Sequence, residues 1–105
     1  MKNIGELMAK AHKVQSQMTI LQTKMAEQEF EGQAANGAVT VTLTGKGNAL
    51  RVHVDKSVLD DADTLEDLLV VAINDSREKA ETYMNTEMQK MQASLGLPPN
   101  FKLPF

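Results

Sequence analysis

The chain has 105 residues, of which 42% are hydrophobic, with a formal net charge of -3 and no cysteine or tryptophan. This length fits one domain. The lack of cysteine excludes disulfides, thiolate metal sites and cysteine nucleophiles, and the acidic balance argues against nucleic-acid binding unless the basic groups share one surface. The N-terminus has no apolar core of the signal-peptide kind. The longest apolar run, Leu68 to Ile73, is far shorter than the roughly 20 residues that span a bilayer. These features predict a cytoplasmic protein with no membrane partner.

Residues 1–28 read as a helical arm. Apolar side chains recur at Ile4, Leu7, Ala11, Val14, Met18, Leu21 and Met25, in alternating steps of three and four. That is a heptad seam, suited to a core or a dimer contact. Asn3 and Glu6 have capping-box spacing. A helix of about 25 residues is roughly 38 Å long, whereas a compact domain of 100 residues has a radius of gyration near 13 Å. One small domain is therefore too short to cover the whole seam.

Residues 29–54 change period and predict a three-stranded antiparallel meander. After Glu29-Phe30-Glu31, the Gly32–Gly37 stretch reads as a turn centred on the Asn36-Gly37 pair. Val39, Val41 and Leu43 alternate with Thr40, Thr42 and Thr44, as in a strand with one buried face. Gly45-Lys46-Gly47-Asn48 is a second turn, and Leu50 to Val54 alternates again.

Residues 55–95 hold a cap region and a second arm. Ser57 with Asp60 suits a short turn, and Asp63 with Glu66 suits a helix N-cap. From Thr64 to about Leu95 the helix begins strongly apolar (LEDLLVVAI) and then keeps only a stripe of Ala80, Met84, Met88 and Met91. The first part should lie on the sheet and the stripe should meet one neighbour. Gly96 ends the helix. Residues 96–105 (GLPPNFKLPF) form an extended, proline-rich tail anchored by Phe101, Leu103 and Phe105, expected to pack back across a groove.

No catalytic constellation emerges. His12 and His53 lack sequence-local partners at metal-ligand spacing. Asp60, Asp61, Asp63, Glu66 and Asp67 are explained by capping without a metal. Gly45-Lys46-Gly47 lacks phosphate-loop spacing and joins strand to strand. No serine sits in a nucleophile elbow. The expectation is a protein that is not an enzyme and needs no cofactor, metal or small-molecule substrate.

The basic residues are more informative. At 100° per residue, Lys10, Lys13 and Lys24 fall in one sector of the first helix, beside the apolar seam. The bland reading is a solvated helix face, and the functional one is a phosphate-contacting stripe, to which Arg77 and Lys90 on the second helix add. No aromatic lies among these lysines, so stacking on single strands is not indicated, and duplex DNA is the better fit.

Four stretches resemble the YbaB/EbfC family of bacterial nucleoid-associated proteins. They are LMAKAHKVQSQM (Leu7–Met18), VTVTLTGKGNALRVHVD (Val39–Asp55), LDDADTLEDLLVVAINDSREKAE (Leu59–Glu81) and GLPPNFKLPF (Gly96–Phe105). The resemblance covers essentially the whole chain. It implies a small homodimer whose helices project like tweezers from a joined sheet, DNA binding, a place in the nucleoid and an influence on gene expression. One departure is Asn100, where relatives often have glycine.

The sequence is thus read as an α+β homodimer that binds double-stranded DNA with low sequence specificity. Lys10, Lys13, Lys24, Arg77 and Lys90 are the candidate contacts. The alternative is a protein-interaction or chaperone-like adaptor that clasps its partner with Met-lined helical arms.

Overall fold

A computed structural model describes residues 4–96 as helix α1 (Ile4–Glu27), strands β1 (Glu29–Ala34), β2 (Val39–Thr44) and β3 (Ala49–Val54), a 3-10 turn (Lys56–Val58) and helix α2 (Ala62–Ser94). The expected Asn3 cap and the proline-rich tail lie outside these residues. The α+β order is the one the sequence predicts. The strands form one antiparallel sheet in the order β1-β2-β3. At 1.5 Å per residue, the 24 residues of α1 and the 33 of α2 run about 36 and 50 Å. The radius of gyration is 19.1 Å and the molecule measures 70 × 22 × 17 Å. It is an arm attached to a small sheet.

Two apolar clusters account for this shape. In the first, Ala34, Val39, Val41 and Leu43 of the sheet meet Ala72, with Leu65, Leu68 and Leu69 half-buried around them. The apolar start of α2 therefore lies on β1 and β2. In the second, Met18, Leu21 and Met25 of α1 meet Ala80, Met91 and Leu95 of α2, with Met84 and Met88 alongside. The methionine stripe on α2 meets the C-terminal half of α1. Phe30 belongs to this cluster, and its ring meets Tyr83 edge-on at 5.6 Å. β1 thus joins the arm to the sheet.

Several local expectations need correction. Gly32 is not in a turn. β1 continues to Ala34, and the loop is Ala35–Ala38, with Ala34 opposite Val39. A side chain at Gly32 would collide with the Ala72 carbonyl and the Ser76 amide. That glycine therefore serves the close approach of α2 to β1. Ser76, fully buried, donates its hydroxyl to the Phe30 carbonyl at 2.7 Å.

The α2 cap is Asp61 rather than Asp63. The Asp61 carboxylate accepts from the Thr64 amide at 3.1 Å and from its hydroxyl at 2.7 Å. Asp63 falls in the first turn instead, where its charge still suits the macrodipole. The short turn is preceded by Asp55, with no side-chain capping bond, rather than capped by Ser57. At the far end Gly96 adopts φ +70, as a residue just past a helix C-cap does.

Candidate nucleic-acid interface

Charge is unevenly distributed along the chain. Between Asp55 and Asp67, six acids (Asp55, Asp60, Asp61, Asp63, Glu66 and Asp67) face a single base, Lys56. α1 instead carries Lys10, Lys13 and Lys24 against Glu6 and Glu27. The net charge of -3 averages an acidic sheet end with a weakly basic arm.

Lys10 and Lys13 are exposed on the N-terminal half of α1 and make no ion pair among the described residues. Lys24 lies 3.7 Å from Glu87, and Lys90 lies 3.3 Å from the other oxygen of the same carboxylate. The arm thus brings these two lysines together across its helices and places one acid between them. Arg77 is exposed and stands apart, near the base of the arm. Neighbouring Lys79 is occupied, 3.2 Å from Asp75.

Sequence reasoning missed Lys46. It lines an open cleft of about 580 Å³ with Arg77, Gln22, Thr44 and Asn85. Lys46 and Arg77 are 31 positions apart. Only the pairing of the β2–β3 hairpin with α2 brings them to one cleft. Glu81 lines the same cleft and offsets part of their charge.

The seam divides into two halves. Met18, Leu21 and Met25 are buried, Val14 is half-buried, and Ile4, Leu7 and Ala11 are exposed. A second apolar surface was not anticipated. Val52 pairs with Val41 and so points to the helix-covered face, yet it is 56% exposed, because α2 crosses β1 and β2 and leaves β3 bare. Leu50, the next-but-one residue, is also exposed, as are Val70 and Ile73 on α2.

The two sheet edges also differ. Asp75 accepts the outward Gln33 amide of β1 at 3.0 Å, and Lys79 donates to the Glu31 carbonyl at 2.8 Å. At β3, the bond from the Asp55 amide to Ala38 fixes the phase of the ladder and directs the Val52 and Val54 amides away from β2. Among the described residues, nothing meets them.

His12 is exposed, and His53 lies on the open sheet face with Nε2 3.1 Å from Asp55. Among the described residues no three His, Asp or Glu side chains are placed to hold a metal. No described helix is long and apolar enough to cross a membrane.

A model of the YbaB/EbfC DNA-binding family matches residues 1–95. The chain belongs to that family. Curated relatives include nucleoid-associated proteins of Granulibacter bethesdensis (48% identical) and Rhodospirillum centenum (46% identical), each matched over 100% of both chains. Another, from Hahella chejuensis, is 38% identical over 98% of this chain and 96% of its own. The fold matches an uncharacterized protein of Helicobacter pylori with a TM-score of 0.74 at 20% identity, covering 87% of this chain and 98% of that one.

Proposed function

We propose that the protein is a nucleoid-associated, double-stranded-DNA-binding homodimer with low sequence specificity. It would act in the nucleoid by organising DNA and influencing gene expression. The observation that carries this reading is the placement of Lys10 and Lys13, which make no ion pair among the described residues, on the outer half of a 70 Å molecule. There they lie at the opposite end of α1 from the junction with the acidic sheet end. Membership of a DNA-binding family supports it. Lys24, Lys90 and Arg77 extend the basic surface toward the base of the arm.

Contacts of this kind go to phosphates. They position a protein without reading sequence. Affinity should therefore fall steeply with salt and be similar for unrelated duplexes. The test is a binding titration of two unrelated duplexes across salt, with wild type and the Lys10→Gln/Lys13→Gln variant. The variant should weaken binding to both duplexes equally and flatten the log K against log salt slope by about one for each phosphate it no longer neutralises. Equal slopes for variant and wild type would remove these lysines from the interface. The adaptor reading receives less support, because Met18, Met25 and Met91 are buried between the two helices rather than offered to a partner.

A further inference from the structure

The two helices of the arm are antiparallel and do not end together. Lys24 meets Glu87, while Gln17, Leu21 and Met91 line one crevice. Leu95, the C-cap of α2, is 7% exposed in the same cluster as Met18. Past Gly96 the seam of α1 continues through Val14, Ala11, Leu7 and Ile4, about 15 Å further. Leu7 and Ile4 are 54% and 70% exposed. Yet they occupy the heptad positions that Leu21 and Met18 fill in the buried half. No described element covers them.

We propose that residues 97–105 of the same chain lie along this face, continuing the path of α2 toward Ile4. Direction, length and chemistry all agree. α2 already runs toward the N-terminal end of α1, so no reversal is needed. Nine residues in an extended, strand-like conformation reach about 30 Å at roughly 3.3 Å each, more than the uncovered seam requires. The segment LPPNFKLPF cannot continue the helix through its prolines. Its Phe101, Leu103 and Phe105 alternate, so an extended chain puts all three on one side. Its one charge, Lys102, is opposite in sign to Glu6, the only acid in this half of α1. The tail would hold in place the part of the helix that carries Lys10 and Lys13, which alone is too short to be stable as an isolated helix.

Hydrogen exchange on the full chain tests this. Replacing Phe101, Leu103 and Phe105 together by Ser should speed exchange of the amides of residues 8–14 by about tenfold or more, leaving residues 68–80 unchanged. The native chain has no cysteine, so Leu7→Cys with Phe101→Cys forms a clean reporter pair. Mild oxidation should give a link within one chain. Unchanged exchange in the serine variant, or a link that forms only between chains, would overturn the proposal, and the latter would assign the face to a second copy.

Discussion

Single residues hold the helix against the sheet, and Gly32 is the most constrained of them. A methyl group there meets backbone of α2, at Ala72 and Ser76, rather than a side chain that could rotate away. Gly32→Ala should therefore cost about 3 kcal/mol, the upper end of the usual overpacking penalty. Denaturant unfolding reads this as a lowered midpoint at unchanged slope, and a cost below about 1 kcal/mol would mean that α2 shifts freely. Two carboxylates add a dependence on pH. The Thr64 hydroxyl and amide hold the Asp61 carboxyl below its ordinary value of 3.8, and the Gln33 amide, then Lys79, do the same for Asp75. A folded value below the unfolded one gives stability that is present above the unfolded value and lost as pH falls through the folded one. The Asp61→Asn/Asp75→Asn variant should thus lose less thermal stability than wild type between about pH 5 and pH 2. Parallel melting curves across that range would exclude a role for these two groups.

At the scale of elements, the arm is a two-helix pair whose charges are partly neutralised from within. Glu87, with its side chain only 19% exposed, holds both Lys24 and Lys90. Glu87→Gln keeps the shape and removes the charge. It should tighten duplex binding and steepen the salt slope by about one. An unchanged slope would place Lys24 and Lys90 away from DNA. These elements were largely legible in the sequence, because the heptad spacing of α1 and the Val/Thr alternation of β2 are local patterns. The end of β1 was not, because glycine before Asn-Gly looks like turn chemistry, and its close approach to α2 depends on residues 40 positions later. The α2 cap slipped by two residues for a similar reason. Asp61 and Asp63 both stand before an apolar run, and only the bonds to Thr64 decide between them. Of the candidate site, the lysine stripe could be read from helical spacing. The pairing of Lys24 with Glu87 and the meeting of Lys46 with Arg77 arise from tertiary contacts that no local pattern reports.

At the scale of the whole molecule, the sheet is asymmetric. β1 has its outer edge tied to Asp75 and Lys79 and its inner face under α2. Among the described residues β3 has neither cover: the Val52 and Val54 amides point outward, and Leu50 and Val52 lie open, as do Val70 and Ile73 on α2. A long free edge backed by apolar side chains is the arrangement that proteins normally protect, since it invites another strand. A two-fold copy pairing edge to edge would cover both strands with the same surface, as a closed dimer requires. On this reading the dimer contact of the proposed function would lie at the sheet rather than along the α1 seam, and both arms would stay free to reach DNA. Val52→Glu should then shift the mass in solution from dimer to monomer, because a carboxylate in the covered contact would be buried without a partner. Leu7→Glu, on the arm, should leave the mass unchanged. A dimer that survives Val52→Glu but not Leu7→Glu would return the interface to the heptad seam, with the arms crossing each other instead of projecting from a joined sheet.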